Sequence, residues 1–340
     1  VKAPNAPPIV YGPVTTDRVP ELFTALQRGQ VPVHLALGVR GADAFAGVAP
    51  LDQHPFVARQ NRVLLADAGV IEPGSIDDYI ARGGYSGWLK ALFEMTPEEV
   101  VNEGKVANVR GRGGAGFPAG VKWENGRRTP TRPKYVIANS HEGEPNVYKD
   151  RRLIESNPHL VLEGIMLGCY ALETPNGYNY IGGEHLLAIK RFRQAVKQAY
   201  EIGLLGDNIL GTGVSCHVRV RTGGGAYICG EGSALMYSVM GQRGQPRTKP
   251  PRSVEEGVWR RPTVLNNTET FANIPAIIRN GGAWYAELGT EKSTGTKLVT
   301  MQGPVERLGL VEVEMGMTLH ELIYDVYGGM KDGHAFKPIQ

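Results

Sequence analysis

The middle of the chain alternates between strand-like and helix-like patterns of apolar residues. Apolar and polar residues alternate strictly over 214–220, which predicts a half-buried strand. Short apolar runs at 135–138 and 178–181 predict two more strands. Helices are predicted over 159–172, where apolar residues recur at helical spacing, and over 186–202, which carries a cationic face. This succession of helices and strands predicts an α/β fold with a largely parallel sheet.

Both ends of the chain differ from this middle part. Residues 1–50 hold one short amphipathic helix in Pro-rich sequence, and they are predicted to be an N-terminal connector. The α/β domain is predicted to occupy residues 51–290. Two strand-like runs and a capped helix predict a separate small α+β unit at 291–340, and we expect this unit to be incomplete at Gln340.

The stretch 109–123 is the most distinctive part of the sequence. Glycine readily adopts positive φ and has no side chain to keep a ligand away, so a run of glycines lets backbone N–H groups converge on an anion. Arg110, Arg112 and Lys122 add cationic donors suited to phosphate. The sequence therefore predicts a site for a phosphorylated ligand. The glycines of the stretch are Gly111, Gly113, Gly114, Gly116 and Gly120.

Part of this stretch also matches the G-x-G-x-x-G fingerprint of dinucleotide-binding folds. That fingerprint requires a strand immediately before the loop and a helix immediately after it. Here Thr96 and Pro97 begin a predicted helix before the loop, and Phe117-Pro118 interrupts any helix that opens at Gly116. An ordinary Rossmann dinucleotide loop is therefore not expected.

Two other polar segments are candidates for ligand contacts. The strand at 135–138 leads into acids and amides over 139–145, where α/β sheets place ligand contacts. A second glycine cluster, 223–233, connects the strand at 214–220 to a helix and is a usable binding element. Two adjacent asparagines, Asn266 and Asn267, precede another helix. They indicate either helix caps or amide contacts to a ligand.

Composition excludes several classes of protein. The formal net charge of +3 gives no reason to expect a nucleic acid partner or an anionic lipid surface. No apolar run is long enough to cross a bilayer, so no direct membrane insertion is expected. Cys169, Cys216 and Cys229 lack metal-ligand spacing and are odd in number. We therefore expect no metal site in this chain and a cytoplasmic location, which is compatible with peripheral attachment to a membrane complex.

Four motifs together resemble one family, the NADH-oxidising flavoprotein subunit of respiratory complex I and its relatives. Gly-Arg-Gly-Gly-Ala-Gly-Phe-Pro-x-Gly-x-Lys-Trp stands at 111–123, and Asn-x-x-Glu-x-Glu-Pro at 139–145. Gly-Ala-Tyr-Ile-Cys-Gly-Glu stands at 225–231, and Asn-Asn-x-Glu-Thr at 266–270. The lead-in at 80–85 is more similar to the branch found in NAD-reducing hydrogenases, NAD-dependent formate dehydrogenases and electron-bifurcating enzymes.

The resemblance implies a Rossmann-like FMN-binding domain with a mostly parallel sheet, followed by the start of a β-grasp module similar to soluble-ligand-binding domains. It implies hydride exchange between NADH and FMN, with the flavin carrying the chemistry and Glu144 and Glu231 the nearest candidate catalytic groups. The implied FMN contacts are Gly111, Arg112, Gly113, Gly114, Ala115, Gly116, Lys122, Asn139, His141, Glu142, Tyr227, Gly230, Glu231, Asn266 and Asn267. The implied NADH contacts are Phe117, Lys122, Glu144 and Glu231.

The resemblance also implies partner subunits, among them a thioredoxin-like 2Fe–2S subunit and other iron–sulfur or catalytic subunits. The family's 4Fe–4S cysteines are absent from this chain, and we expect that domain to lie outside it. His141 and Gly232 stand where the family usually has acids. These two departures leave an alternative open, in which the chain is a flavin-binding electron relay or scaffold that no longer uses NADH.

Overall fold

The computed structural model of the chain describes Val1 and residues 6–41 and 43–337. Its α-helices are α1 (Val19–Gln27), α2 (Pro55–Ala58), α3 (Ile76–Ala81), α4 (Ser86–Glu94), α5 (Pro97–Val106), α6 (Ala119–Arg128), α7 (Lys149–Ser156), α8 (Pro158–Ala171), α9 (Leu186–Glu201), α10 (Gly232–Val239), α11 (Thr268–Asn280) and α12 (Gly282–Ala286). Its strands are β1 (Ile9–Tyr11), β2 (Ala36–Val39), β3 (Tyr135–Ser140), β4 (Asn176–Ile181), β5 (His217–Thr222), β6 (Thr263–Asn267), β7 (Gly289–Thr290), β8 (Ser293–Thr294), β9 (Thr296–Met301) and β10 (Gly309–Glu314).

Short 3₁₀ turns and one π-helical turn complete the regular structure of the described residues. The 3₁₀ turns are Val33–Leu35, Leu51–Gln53, Ile209–Gly211, Tyr227–Gly230, Val258–Arg260 and Lys331–Gly333. The π-helical turn, Glu321–Val326, lies within the helix predicted near the end of the chain. It is preceded by reciprocal capping, because Thr318 Oγ1 accepts from Glu321 N while the Glu321 carboxylate accepts from Thr318 N.

The chain forms two compact units. The first comprises the described residues of Val1–Gln60, Met301–Gly309 and Met317–Gln340, and the second comprises Asn61–Thr300 and Leu310–Gly316. In the first unit, β1 and β2 pair antiparallel, with Ile9 opposite Val39. The domain boundaries predicted from the sequence after residues 50 and 290 stay a prediction.

The second unit is built on a four-stranded parallel sheet in the order β5-β4-β3-β6. The predicted α/β fold with a parallel sheet is thereby confirmed. β3 is central, and its residues Val136, Ile137 and Ala138 are completely buried because helices cover both faces. On one face Val136 packs in the core that contains α8, α9 and α11, and on the other face Ile137 packs with residues of α10.

Helix α8 is the core helix that the sequence predicts, and two glycines let it approach α11 closely. A Cβ on Gly164 would lie 2.1 Å from the carbonyl oxygen of Phe271. A Cβ on Gly168 would lie 2.9 Å from Cε1 of the same phenylalanine. Both distances are shorter than real Cβ contacts, so this helix pair depends on glycine at these positions.

The glycine-rich loop lies between two helices. Helix α5 begins where the sequence predicts, after Thr96, which forms a capping box with Glu99, and helix α6 begins at Ala119, directly after Pro118. The loop is therefore not the strand-to-helix turn of an ordinary dinucleotide fold. One strand is shorter than predicted: β5 begins at His217 because the preceding Cys216 instead pairs with Gly206.

Candidate functional site

A cavity of about 520 Å³ lies in the second unit at the carboxyl ends of β3 and β6. This edge of a parallel sheet is where open α/β folds bind ligands, and the volume lies within the range of small-molecule sites. The lining residues are Arg112, Gly113, Gly114, Asn139, His141, Glu142, Gly143, Glu144, Val147, Lys149, Asp150, Tyr227, Ile228, Gly230, Glu231, Asn267 and Lys297.

The glycine loop contributes backbone to this cavity. Gly114 has φ of +113°, and a Cβ built on it would meet nothing within 4 Å. A Cβ on Gly113 would lie only 3.0 Å from Cβ of Asn267. The loop is closed at its base by Gly111 N, which donates to Phe117 O at 3.0 Å. Glycine at 113 and 114 thus keeps the loop close to β6 and open toward a ligand.

The loop arginines are turned toward protein carbonyls. Arg110 donates from Nη1 to Gly116 O at 3.2 Å, and Arg112 donates from Nη2 to Thr294 O at 2.7 Å. Arg112 is buried, and its Nη2 also lies 3.4 Å from the hydroxyl of Tyr285. Both guanidinium groups therefore hold the loop in place, and Arg112 also lines the cavity. The predicted contact of these arginines with a phosphate stays a prediction.

Two lysines that the sequence analysis did not single out provide cations at the cavity. Lys149 Nζ lies 2.8 Å from Asp150 Oδ1, 3.0 Å from Glu269 Oε2 and 3.3 Å from Asn267 Oδ1. Lys297 Nζ lies 2.6 Å from the same oxygen of Glu269. Burial opposes the charge on Lys149, but the carboxylates of Asp150 and Glu269 outweigh it and raise its pKa.

Glu142 is a buried carboxylic acid with a raised pKa. Burial and the neighbouring Asp150 carboxylate raise its pKa to about 7, although Lys149 and two backbone donors oppose the rise. Those donors are Asp150 N at 3.2 Å and Arg151 N at 3.1 Å, in the first turn of α7. The predicted contact residue Glu142 can therefore be charged or neutral at physiological pH.

The paired asparagines that follow Leu265 have separate roles. Asn266 is buried, and its Oδ1 accepts from Trp123 Nε1 at 3.1 Å, away from the cavity lining. Asn267 lines the cavity and caps α11 through Glu269 N at 2.9 Å, while its Nδ2 donates to Asp150 Oδ2 at 2.6 Å. The alternatives of cap and ligand contact are therefore not exclusive at Asn267.

Asn139 joins the end of β3 to the 227–230 turn. Its Nδ2 donates to Gly230 O at 2.9 Å, and its Oδ1 accepts from His141 N at 3.1 Å. The His141 ring is buried, and neither ring nitrogen has a hydrogen-bond partner among the described residues. His141 is thus a buried polar side chain without a partner, and it lines the cavity, where it is available to a ligand.

The mouth of the cavity is formed by exposed groups. The hydroxyl of Tyr227 donates to the Glu144 carboxylate, and this hydrogen bond raises the pKa of Tyr227. Tyr227 remains 63% exposed, so its ring is free to contact a second ligand. The Glu231 carboxylate instead accepts from Ser233 N and Ala234 N as the cap of α10.

The structure brings most of the predicted contact residues together. Within the lining are Arg112, Gly113, Gly114, Asn139, His141, Glu142, Glu144, Tyr227, Gly230, Glu231 and Asn267. Outside it are Gly111, Ala115, Gly116, Phe117, Lys122 and Asn266. Lys122 donates to Leu265 O at 3.0 Å, and Phe117 is exposed.

The residues present fit flavin mononucleotide. The open position beside Gly114 admits a ligand close to the backbone, and the unpartnered ring of His141 offers a hydrogen-bonding group. Lys149 and Lys297 supply ammonium groups suited to a phosphate.

No residues that fit an iron–sulfur cluster are brought together in the described part of the chain. Among residues 1, 6–41 and 43–337 there is no group of three or more His, Cys, Asp or Glu residues that could hold a metal ion. Cys169, Cys216 and Cys229 are all free and buried. No helix in the same residues has the length and apolar character needed to span a bilayer.

Known proteins are similar to this chain in sequence and in fold. The sequence profile of the Nuo51 FMN-binding domain matches residues 105–276. The chain is 47% identical over 282 residues to HndC, part of an NADP-reducing hydrogenase of Solidesulfovibrio fructosivorans, covering 83% of this chain and 57% of that protein. It is 44% identical over 270 residues to an NADH-quinone oxidoreductase subunit of Escherichia coli, covering 79% of this chain and 61% of that protein.

A solved structure agrees with these matches. An NAD⁺-reducing [NiFe]-hydrogenase in its H₂-reduced state superposes with a TM-score of 0.68 at 27% identity, covering 93% of this chain and 50% of that chain. The chain spans 57–66% of the length of the first two curated relatives. The profile match covers half of the chain, and with the cavity described above it leads to one conclusion: the chain belongs to the Nuo51 FMN-binding domain family.

Proposed function

We propose that this chain is the FMN-carrying part of an NAD(H) dehydrogenase subunit. It would exchange a hydride between NADH and FMN and pass single electrons to iron–sulfur clusters of partner subunits. The observation that carries the proposal is the cavity at the carboxyl edge of the sheet, which the Gly113-Gly114 backbone lines together with the two lysines that share the Glu269 carboxylate. FMN, when bound there, would supply hydride acceptance and single-electron release.

The chain's own residues would orient and anchor the two nucleotides. Lys149 and Lys297 would hold the phosphate of FMN, because they are the ammonium groups in the lining. Gly114 would allow the ring system of FMN to approach the backbone. Tyr227 and Glu144, joined by a hydrogen bond at the mouth, would orient the nicotinamide, and the exposed ring of Phe117 would stack beside it. These assignments extend the contacts that the sequence predicts.

The names of the relatives support a subunit of a larger complex. One is described as a subunit of an NADP-reducing hydrogenase, and another as a subunit of an NADH-quinone oxidoreductase. We propose NAD(H) as the nucleotide, iron–sulfur subunits as partners, and the cytoplasm as the compartment. Three free buried thiols are compatible with a reducing compartment.

An electron relay that no longer uses NADH is the second candidate. It is favoured by one observation, that His141 and Gly232 bring no carboxylate to the positions where the family usually has acids. Fewer negative charges would weaken the orientation of the positively charged nicotinamide of NAD⁺.

The test is the anaerobic visible spectrum of the purified chain with FMN, before and after NADH. Bleaching of the flavin band is expected. If dithionite bleaches the bound flavin and NADH does not, the dehydrogenase proposal is wrong and the electron relay takes its place. Gly114→Val tests the assigned cavity, because its side chain would fill the space beside the loop, and this variant should not bind the added FMN.

A further inference from the structure

The loop between α10 and β6, residues 240–262, is not explained by the flavin cavity. All of its residues are described, and the 3₁₀ turn Val258–Arg260 is its only regular structure. Connections of this length without helices or strands are uncommon in compact domains and usually serve binding. Trp259 and Arg260 both have positive φ, +50° and +56°, which is unfavourable for large side chains. The fold therefore holds two exposed side chains in a strained backbone.

The same loop concentrates positive charge. It contains six arginine or lysine residues and two glutamates, whereas the formal net charge of the whole chain is only +3. A surface with such an excess of cations attracts negatively charged partners. The cations are Arg243, Arg247, Lys249, Arg252, Arg260 and Arg261, and the acids are Glu255 and Glu256.

A second cavity, of about 480 Å³, lies between this loop and α10 in the second unit. Six of its ten lining residues are of types that are enriched at protein–protein interfaces and in their energetic hot spots. The composition of the lining is thus typical of a docking site for a protein. These six residues are Met236, Tyr237, Met240, Arg247, Trp259 and Arg260.

Aromatic rings extend this surface onto the sheet. The ring centroid of Trp259 lies 4.9 Å from that of Tyr135 in β3 and 6.0 Å from that of Tyr178 in β4. The exposed guanidinium group of Arg219, on the edge strand β5, lies 5.8 Å from the Tyr178 centroid. Trp259 is therefore fixed by packing against two rings while 41% of it remains exposed.

The arginines of the cavity are only partly neutralised within the chain. Glu256 Oε1 lies 4.0 Å from Arg247 Nη1 and 3.9 Å from Arg260 Nε, so one carboxylate faces two guanidinium groups. The Arg260 side chain is 90% exposed. Exposed ion pairs at such distances contribute little to stability, and Arg260 keeps donors that can bind a further carboxylate.

We propose that Arg219, Tyr237, Arg247, Trp259 and Arg260, the Trp259 surface, dock an acidic segment of an iron–sulfur partner subunit. An apolar side chain of that segment would enter the cavity beside Trp259, and its carboxylates would pair with the arginines. Arginine matches a carboxylate through two parallel N–H donors, which favours acidic side chains over neutral polar ones.

This docking role rests on the proposed function, in which the chain is a subunit of a redox complex. It adds the place where a partner binds and the chemistry that recognises it. Helix α10 connects the two cavities, since its cap Glu231 lines the flavin cavity and Met236 and Met240 line the second one. The helix has eight residues, a length of about 12 Å. An electron-accepting partner on the Trp259 surface would therefore lie close to the proposed flavin site.

Zero-length cross-linking in the assembled redox complex tests the chemistry of the partner. Arg260→Lys places a primary amine on the surface, and a carbodiimide joins this amine to a carboxylate in contact with it. Mass spectrometry should identify a link to an Asp or Glu of an iron–sulfur subunit in the complex. In the isolated chain the same variant should link only to Glu256. Arg193→Lys on α9, which also replaces an exposed arginine, is the matched control and should give no link to a partner.

Arg260→Glu tests the contribution of the surface to binding, with the cross-linked iron–sulfur subunit in purified form as the probe. Its Kd for the chain should rise roughly tenfold or more, because like charges then face each other. Arg193→Glu should leave this Kd within about twofold of wild type. Wild-type affinity of Arg260→Glu, or no link from Arg260→Lys to a partner, would overturn the docking surface.

A small-molecule occupant of the cavity gives a different result. If ADP, used as the probe, quenches the fluorescence of the isolated chain and Trp259→Phe abolishes the quenching, the cavity binds a nucleotide and the docking proposal is wrong. Bleaching of the flavin by NADH is measured for each variant separately. A chain that binds its partner through the Trp259 surface but is not bleached by NADH contradicts only the proposed dehydrogenase function.

Discussion

At the scale of single residues, the site has cations beyond those that the sequence suggests, because Lys149 and Lys297 join Arg112 in the cavity lining. The arginines of the glycine loop bond to carbonyls, whereas Lys149 and Lys297 come from segments far apart in the chain and share the Glu269 carboxylate. That carboxylate is completely buried and holds both ammonium groups at the cavity. The site's electrostatics therefore depend on a tertiary cluster.

Lys149→Met should weaken FMN binding selectively. A hydrogen bond from an ammonium group to a phosphate contributes about 1.5–3 kcal/mol, so we expect the FMN Kd to rise roughly ten- to hundredfold. Riboflavin, which lacks the phosphate, should bind within twofold of wild type; fluorescence titration measures both. Lys105→Met, which removes a partly exposed partner of Glu124, is the control. Equal losses for FMN and riboflavin would refute a phosphate contact at Lys149.

Glu142 should make the ligand-free fold less stable as pH rises. Its folded-state pKa of about 7 exceeds its usual value of 4.5, so its contribution is complete below pH 4.5 and is lost as pH rises through 7. Relative to Glu142→Gln, wild type should lose up to about 3 kcal/mol of unfolding free energy between pH 4.5 and 8. Urea unfolding at several pH values measures this difference. A difference that does not change with pH would contradict the raised pKa.

At the scale of elements, the spacing of apolar residues predicted the helices and strands that depend on local sequence. Helix α8, predicted at 159–172, spans Pro158–Ala171, and β4, predicted at 178–181, spans Asn176–Ile181. The parallel sheet followed from the succession of these elements. The start of β5 was predicted three residues early, because alternation continues through Cys216 although its backbone pairs with Gly206. Local patterns do not contain that tertiary pairing.

The packing of α8 against α11 gives a prediction at this scale. Gly164→Ala would place a Cβ 2.1 Å from Phe271 O, so the helices must separate and lose contacts. We expect the unfolding free energy to fall by about 2 kcal/mol or more. Gly232→Ala in α10 is the control, because its Cβ would lie 3.7 Å from Leu265, an ordinary contact. A Gly164→Ala variant as stable as this control would mean that the helix pair adjusts without cost.

At the scale of the whole molecule, the site could be predicted only where one motif supplies its residues. The segment 139–145 places several contact residues in the cavity lining because they follow one strand. Lys297 was not predicted. It reaches the cavity from β9, more than a hundred residues after the segment 139–145, and nothing in its local sequence marks it as a site residue. Phe117 and Lys122 lie in a specific motif but outside the lining, so their predicted contact with NADH stays a prediction.

Because the cavity draws on segments from the glycine loop to β9, FMN should stabilise the second unit as a whole. A ligand that binds only the folded state at a free concentration of 100 Kd adds about 2.7 kcal/mol to the unfolding free energy. Amides of β3, which exchange through global unfolding where the strand is completely buried, should therefore slow about a hundredfold. Hydrogen exchange with and without FMN measures this. Slowing confined to residues 109–117 would mean that FMN orders only the loop and that the assembled cavity is not its binding site.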